Sequence, residues 1–465
     1  MEAALDLYPP KPANVPKDLA RPTLRYRFHA WLAMWGLLVF ATIYAGLGFW
    51  FGWAAWRNLA AGFSPGGDFW HIVRGLGAGI LTVFMVKGMF FRKHSGVSRE
   101  FEVTKENQPR LFDFLNRIAD EAGAPRPHKV FLSPQVNACV FYDLSLLNFF
   151  FPTRKNLEIG LSLVNVLTLS EFKAVLAHEF GHFAQRSMAV GRWVYTAQQV
   201  ATQVIYHRDA LDGFLNGLSR FDLRIAWIGW LLRLIVWSIR SILDTMLHFV
   251  MLAERALSRE MEFQADLVAV STTGSDALIH GLHRLAAADS AWDEAKDLVT
   301  ERLKKDHKIE DVFAVHSRVL EHQRRVLDDP DYGLIPPLPE NNREAHRVFK
   351  AEFAQPPQMW ATRPQSHLRE DNAKKRYIQA ELNDRSAWDI FDNPNQLREQ
   401  LTAHLFCELK FEVETLADTF AAVDEHFAKE YYNPIYRGIY LKRSVVEYAK
   451  RANDLYYRDG AVTRT

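Results

Sequence analysis

The sequence predicts a mostly helical α+β fold with an N-terminal pair of membrane-spanning helices and a helical C-terminal extension. Three observations lead to this prediction. Two long apolar stretches lie within the first 95 residues, short strand-like runs occur between residues 129 and 163, and helical apolar spacing recurs in much of the remaining chain. With 465 residues, the chain is long enough for two or three domains.

Composition narrows the range of partners. The formal net charge is +1, so the overall balance gives no reason to expect nucleic acid or an acidic polymer as a partner. The two cysteines, Cys139 and Cys407, are too few for a disulfide framework, suit a reducing compartment and are each expected to be buried. Aromatic residues make up 13% of the chain, with 13 tryptophans, which favours contact with a lipid bilayer.

The N-terminal part predicts a transmembrane hairpin at residues 28–95. The stretch from Phe28 to Trp56 contains no Asp, Glu, Lys or Arg and is long enough to cross a hydrocarbon core of about 30 Å. The stretch from Phe69 to Phe91 is less uniformly apolar, so a second span or an interfacial helix is possible there. Basic residues gather in residues 1–27 and just after the second stretch. The positive-inside rule therefore predicts an integral membrane protein, of the inner membrane if bacterial, with residues 1–27 and the chain beyond the hairpin in the cytoplasm.

A mixed pattern of helix and strands follows in residues 96–270. Pro109–Gly123 has helical apolar spacing, with proline at its entry and glycine at its exit. Three short runs predict strands: Lys129–Ser133, Ala138–Tyr142 and Leu157–Leu163.

The run His178-Glu-Phe-Gly-His182 lies in a segment with helical spacing, and Thr168 with Glu171 forms a capping-box pattern at its start. Positions four apart lie on the same face of a helix, so both imidazoles can point at one ion. Glu179 follows the first imidazole directly, where it can hold a water on that ion and transfer a proton. This is the H-E-x-x-H arrangement of zinc hydrolases, and the alternative is a chance occurrence of the pattern.

Two apolar stretches within residues 187–256 predict a membrane-associated helical insertion, at Ser187–Arg208 and Leu223–Leu252. Four polar residues of the second stretch fall on one narrow stripe of a helix, namely Arg233, Arg240, Asp244 and His248. Membrane spans with an inward polar seam and a hairpin lying at the membrane surface are both possible. Residues 271–366 predict a helical segment and a Pro-rich linker, and residues 367–465 predict a helical extension without a catalytic signature.

A catalytic zinc ion keeps three protein ligands and one open position, so a third donor is needed on another element. Glu262 and Asp266 lie four residues apart on one helical face. Glu262 can bind the ion while Asp266 accepts a hydrogen bond from a ligand imidazole. Helical geometry alone favours the alternative, an ordinary solvated pair of charges.

Three further motifs flank the metal helix in order, and they are Pro134-Gln-Val-Asn137-Ala138, Ile159-Gly-Leu161 and Ser258-Arg259-x-x-Glu262-x-x-Ala265-Asp266. Together with the histidine motif and the two preceding apolar spans, they are similar to the HtpX and CAAX-prenyl-protease family of membrane zinc metallopeptidases. The resemblance covers roughly residues 97–270. It implies a zincin-like core of the gluzincin type.

The resemblance also implies one Zn²⁺ per chain, bound by His178, His182 and Glu262. Glu179 would be the catalytic base, and Asp266 would support a ligand imidazole. The implied reaction is hydrolysis of peptide bonds in protein or peptide substrates, in quality control or in the processing of a dedicated partner. The alternative from another class is a membrane scaffold in which zinc only holds helices together. The sequence predicts no oligomeric state.

Substrate contacts are the least defined part of the expected site. Resemblance to other zincins suggests that Asn137 and Ala138 begin a strand on which substrate lies extended, and a turn role for Asn137 is equally possible. The chain departs from the family pattern at Met261, where arginine is usual, and at Arg363, where a Thr-His-Pro box has histidine. His367 follows that box and is a candidate for contact with substrate.

Overall fold

The computed structural model describes residues 7–90, 101–142, 155–184, 194, 223–339, 341–349 and 364–428. These residues form a mostly helical fold with two small sheets, as predicted. The elements in chain order are α1 (Leu24–Gly62), α2 (Phe69–Phe90), β1 (Phe101–Val103), α3 (Pro109–Ala122), β2 (Val130–Ser133), β3 (Ala138–Tyr142), β4 (Lys155–Gly160), α4 (Leu161–Val164), α5 (Leu169–Ala184), α6 (Leu223–Thr273), α7 (Ser275–Leu303), β5 (His307–Ile309), α8 (Val312–Leu327), α9 (Ser366–Lys374), a 3₁₀ helix (Ala387–Ile390), α10 (Pro394–Leu405), β6 (Glu412–Glu414) and α11 (Leu416–Ala428).

Three helices are long and apolar enough to cross a membrane, and they are Leu24–Gly62, Phe69–Val86 and Trp227–Thr273. The α1 and α2 helices pack along one another as the predicted hairpin, and α6 packs against α1. All three contribute to one buried apolar cluster that includes Phe40, Phe84 and Leu243. By length and composition, these helices support an integral membrane protein, as the sequence predicted.

The α6 helix turns an apolar stripe toward the hairpin. Leu232, Val236 and Leu243 are buried in the shared cluster, whereas Arg233 and His248 of the polar stripe are exposed. Arg240 and Asp244 of the same stripe are half-buried, and the guanidinium of Arg240 lies 5.2 Å from the centre of the buried Phe84 ring of α2, so the inward polar seam stays a prediction. One uninterrupted helix of 51 residues carries the chain from the membrane segment into the predicted third-ligand segment. The predicted helix at residues 187–208 lies, apart from Val194, outside the described residues.

The four-stranded sheet has the order β1-β2-β4-β3, with β2 parallel to β4 and the outer strands antiparallel to their neighbours. The predicted strands at residues 129–133 and 138–142 are confirmed to within one residue. The third predicted strand ends early, because Leu161–Val164 forms a helical turn instead. Every residue of that turn is buried, including Ser162, so the strand-like alternation Leu161-Ser162-Leu163 does not correspond to one buried and one exposed face. The three-residue strand β1 was not predicted.

The segment before α1 packs against the core. The ring of Tyr8 meets the ring of Phe114 edge-on at 5.2 Å between centroids. Lys173, on the histidine-bearing helix α5, is fully buried and donates a hydrogen bond to the carbonyl oxygen of Pro9 at 2.9 Å. Polar composition predicted only a cytoplasmic segment, and the structure adds that Leu7, Tyr8 and Leu19 of this segment are buried in the core.

One hydrophobic cluster extends from Leu7 to Phe427 and includes side chains of α3, α5, α7, α8 and α10. The cluster includes residues on both sides of the predicted segment boundaries at residues 270 and 366. These boundaries therefore do not separate two hydrophobic cores. The described residues between α8 and α9 contain no helix or strand, as the Pro-rich composition predicted.

The cysteines differ from expectation. Cys139 is half-buried in β3, and Cys407 is exposed just after the end of α10. The prediction that both are buried is wrong because Cys407 follows the last residue of its helix, in a turn outside the packed core.

Candidate metal centre

The two histidines lie on α5, whose start is capped as the sequence predicted. The Thr168 amide donates to Oε2 of Glu171 at 2.9 Å, and the Glu171 amide donates to Oγ1 of Thr168 at 3.4 Å. This reciprocal pair satisfies two of the amides left unpaired at a helix start. Glu171 is buried, and its Oε1 accepts from Nε of Arg284 on α7 at 2.9 Å. The capping residue therefore also fixes α5 against α7.

His178, His182 and Glu262 converge at the crossing of α5 and α6. The Nε2 atoms of the two histidines are 3.2 Å apart. Glu262 places Oε2 at 3.4 Å from Nε2 of His178 and Oε1 at 3.6 Å from Nε2 of His182. Within the described part of the chain, this is the one group of histidine, cysteine and carboxylate side chains whose ligand atoms could hold a metal ion.

These separations fit a tetrahedral ion. Zinc binds nitrogen and oxygen donors at about 2.0–2.2 Å, and tetrahedral angles at such distances place the donor atoms roughly 3.3–3.5 Å apart. The observed separations of 3.2, 3.4 and 3.6 Å bracket that value. Two imidazole nitrogens and one carboxylate oxygen are also the donor types of a catalytic zinc site with an open fourth position.

Gly181 explains how the two helices come so close. A Cβ atom added to Gly181 would lie 3.0 Å from Cα of Ala265 and 3.2 Å from Cβ of Val268. Any larger side chain between the two histidines would therefore push against the backbone of α6. The glycine inside the histidine motif permits the approach that brings Glu262 to the imidazoles.

A buried carboxylate lies behind the histidines. Oδ1 of Asp266, which is fully buried, is 2.9 Å from Nδ1 of His178. An acceptor on Nδ1 fixes the tautomer in which Nε2 is free to bind a metal. Arg369 of α9 pairs with both Asp266 oxygens, through Nε at 2.9 Å and Nη2 at 2.5 Å. A bidentate arginine thereby neutralises the buried carboxylate.

The same contacts govern protonation. Burial lowers the pKa of Arg369, but the charge and hydrogen bonds of Asp266, with smaller effects of Glu262 and Glu179, hold that pKa above its ordinary value. Burial also lowers the pKa of His178, and hydrogen bonds with Asp266 and Glu262 outweigh it and raise that pKa to about 9. A metal ligand must be neutral imidazole, so metal binding would displace a proton from His178.

The sequence predicted His367 as the candidate for substrate contact and did not predict that Arg369 would pair with Asp266. His367 lies half-buried on α9, and among the described contacts none joins it to His178, His182 or Glu262. Arg369, two residues further on, is the residue of this helix that reaches the site. A buried carboxylate requires a partner charge, which could have predicted an arginine near Asp266 but not which one.

The predicted substrate strand lies beside the metal helix. β3 is an outer strand of the sheet and packs against α5. Asn137 is exposed just before β3, and its carbonyl oxygen accepts a hydrogen bond from the Gly160 amide at 2.7 Å. A Cβ on Gly160 would lie 1.9 Å from the carbonyl oxygen of Gln135, so only glycine fits there. Ala138, the first residue of the strand, is buried.

Comparison with known families places these features in context. The sequence profile of peptidase family M48 matches residues 105–376, which is more than half of the chain. The chain belongs to peptidase family M48. The match includes α5, the Glu262 segment of α6 and α9, so it spans every part of the candidate centre. The similarity to HtpX-like peptidases that the motifs predicted is confirmed.

Several M48 relatives carry the HtpX name. Protease HtpX homolog 2 of Methanosarcina acetivorans is 27% identical over 175 residues, which are 38% of this chain and 54% of that protein. Protease HtpX of Haemophilus influenzae is 27% identical over 240 residues, 48% of this chain and 76% of that protein. Protease HtpX homolog of Moorella thermoacetica is 29% identical over 181 residues, 37% of this chain and 53% of that protein.

The chain thus spans about half the length of the Methanosarcina and Moorella relatives that it matches. No solved structure matches it.

Proposed function

We propose that this protein is a membrane-anchored, zinc-dependent endopeptidase that hydrolyses peptide bonds in protein or peptide substrates. The observation that carries the proposal is the convergence of His178, His182 and Glu262 at separations that suit one tetrahedral ion. Three protein donors leave a position for water and substrate, whereas structural zinc sites usually close all four. Membership of family M48, whose peptidases are generally zinc-dependent, supports the same reaction.

The catalytic steps assign a task to each residue around the ion. The metal, when bound, supplies an acidified water and polarises the scissile carbonyl. The carboxylate of Glu179 takes a proton from the attacking water and delivers it to the leaving amide nitrogen. Asp266 accepts a hydrogen bond from Nδ1 of His178 and so keeps Nε2 directed at the metal. Arg369 acts on Asp266, as a positioning residue.

Substrate would bind in extended form along β3. The outer position of this strand leaves one edge without a partner among the described strands, and an added strand there would gain main-chain hydrogen bonds. The strand also lies next to α5. Asn137 and Ala138 begin this edge and would contact the substrate backbone.

The arrangement in the membrane is part of the proposal. Residues 28–95 would anchor the chain, residues 96–270 would form a zincin-like core with the insertion at 187–256, and residues 271–366 and 367–465 would complete it. The basic residues at both ends of the hairpin support an active site on the cytoplasmic side, at the inner membrane in a bacterium. The relatives that carry the HtpX name are called proteases, which supports proteolysis, and the proposed role is quality control or processing of membrane proteins.

The decisive experiment separates metal binding from catalysis. Purified wild type and Glu179→Gln should each contain one zinc per chain, while cleavage of fluorescein-labelled unfolded casein should be about 10²–10⁴-fold slower in the variant. Glu260→Gln, a half-buried carboxylate on α6 outside the ligand group, is the matched control and should keep wild-type rates. Equal cleavage by Glu179→Gln would refute the mechanism. Zinc-loaded wild type that cleaves nothing would favour the scaffold alternative.

A further inference from the structure

A second feature lies at the other end of α6, where this helix meets the hairpin. A cleft of about 720 Å³ opens between α1, α2 and the start of α6. Its walls are mainly apolar and aromatic, and they include Trp50, Trp53, Leu81, Trp227 and Leu232. The volume lies in the range of small-molecule sites. None of the residues assigned to the metal centre lines this cleft.

Two arginines line the cleft at a similar level. Arg57 and Arg74 are the charged residues among its lining, and no Asp or Glu of the described chain lines it. The two arginines lie at a similar level along the hairpin. Asn58 follows Arg57 on α1 and His71 precedes Arg74 by three residues on α2, and Oδ1 of Asn58 lies 3.2 Å from Nδ1 of His71. Both side chains are exposed, and the guanidinium of Arg57 lies 4.8 Å from the centre of the Trp53 ring.

This level corresponds to a membrane surface. Arg57 precedes the end of α1 at Gly62, and Arg74 follows the start of α2 at Phe69. The rings of Trp70 and Trp227 lie 6.1 Å apart there and join α2 to α6. Tryptophan and arginine near the ends of apolar helices are typical of the depth at which lipid headgroups lie.

The shape of the cleft below the two arginines complements the acyl chain of a lipid. From Arg57 to Trp50 the wall of α1 descends about 10 Å at 1.5 Å per residue, and small residues such as Gly77 and Ala78 leave space on α2. An acyl chain fits an apolar trough of this kind. Two cations at the headgroup level select for negative charge, and a guanidinium pairs well with a phosphate group.

We propose that this cleft binds one anionic phospholipid, with its phosphate between Arg57 and Arg74 and an acyl chain along the trough between the hairpin and α6. The bound lipid would fill the opening beside the apolar cluster shared by the three helices. A segment of another membrane protein is the competing occupant. The paired cations and the lack of acidic lining favour the lipid.

The test uses the full chain reconstituted in nanodiscs of mixed phosphatidylglycerol and phosphatidylcholine, transferred to detergent and measured by native mass spectrometry. Wild type should retain one phosphatidylglycerol per chain in preference to phosphatidylcholine. Arg57→Gln/Arg74→Gln should retain about tenfold less phosphatidylglycerol, because both cations that attract the anionic headgroup are removed. Ala78→Leu, which fills the trough and keeps both cations, should also lose the lipid.

Arg233→Gln is the matched control, since Arg233 is an exposed arginine of α6 whose guanidinium lies 5.3 Å from the Trp230 ring outside the cleft. It should retain lipid as wild type does. Zinc content is measured in every variant, so a misfolded protein is recognised. Wild-type retention by the double variant, equal retention of the two lipids, or a bound polypeptide in place of lipid would each overturn the proposal.

Discussion

Charged side chains are buried and paired near Glu262 of α6, whereas they are exposed near Trp227 at the other end of this helix. At Glu262 the carboxylates, imidazoles and Arg369 are enclosed and meet one another at 2.5–3.9 Å. Roughly 50 Å away along the same helix, near Trp227, two arginines stand exposed above an apolar cleft. Burying a charge is costly unless it is paired, so the core end is organised by its own side chains. The membrane end keeps its cations available to a ligand from outside.

The largest effect should come from removing the α6 ligand. Glu262→Ala is expected to lose bound zinc and, with it, measurable cleavage of casein, because two imidazoles alone hold the ion weakly. Retention of phosphatidylglycerol at the other end of α6 should not change. Mass spectrometry measures the loss of zinc, and the rate of casein cleavage measures the loss of activity. Glu260→Ala is the control, and a fully active Glu262→Ala protein would contradict the proposed centre.

The second test compares an arginine from each end. Arg369→Met leaves the buried Asp266 carboxylate without its cation and should lower the apparent free energy of unfolding by about 3–5 kcal/mol. Arg74→Met removes an exposed cation and should change it by about 0.5 kcal/mol or less. Denaturant titration followed by tryptophan fluorescence measures both.

A double variant shows whether the buried charge is the cause. Asp266→Asn removes the uncompensated carboxylate, so it should restore part of the stability lost in Arg369→Met. It should also weaken zinc binding about 10–100-fold, because the acceptor behind His178 is altered. Equal losses from Arg369→Met and Arg74→Met would remove the contrast between the two ends.

Alanine substitutions at two glycines compare how closely α5 and α2 pack against α6. Gly181→Ala places a Cβ 3.0 Å from the backbone of Ala265, and the strain should cost about 1–3 kcal/mol and weaken zinc binding. Gly77→Ala on α2 places its Cβ 3.6 Å from Leu232, an ordinary contact, and should be neutral or stabilising because alanine favours helix. Thermal unfolding and zinc titration compare the two. A destabilised Gly77→Ala protein with an unaffected Gly181→Ala protein would reverse the expected order.

The last test concerns the dependence of stability on acid. Burial lowers the pKa of His280 on α7 and of His316 on α8 from 6.5 to about 4, with nearby Lys374 and Arg284 adding to the shift of His280. The unfolded chain then binds more protons, so stability present above pH 6.5 should be lost progressively as the pH falls toward 4.

This loss should affect the core while the membrane end keeps its lipid. His316→Gln removes one titrating group, so its unfolding free energy should depend less steeply on pH over that range than that of wild type. Denaturant titrations at several pH values measure the slope. Identical slopes would show that His316 does not contribute.

The local features of the fold were predictable because neighbouring residues produce them. Proline at the start of α3 and glycine at its end define that helix, and the capping pair Thr168 and Glu171 forms as the sequence predicted. The buried turn at Leu161–Val164 was misassigned, since the alternation Leu161-Ser162-Leu163 resembles a half-buried strand although every residue of the turn is buried.

The candidate site divides in the same manner. The spacing of His178 and His182 places both on one helical face whatever the surroundings, whereas helical geometry left Glu262 as one acidic residue among many until a family resemblance selected it. No local pattern indicated that Arg369 would neutralise Asp266, or that Pro9 would accept a hydrogen bond from buried Lys173.

The sequence by itself therefore determined the apolar spans, the capped helix and the paired imidazoles, because each depends on spacing along one helix. Only the tertiary structure decided which carboxylate meets those imidazoles, which arginine supports it, and where the hairpin leaves a cleft. Those outcomes depend on how closely distant helices pack. At Gly181 the close approach requires the absence of a side chain, because an added Cβ would lie 3.0 Å from Cα of Ala265 on the other helix.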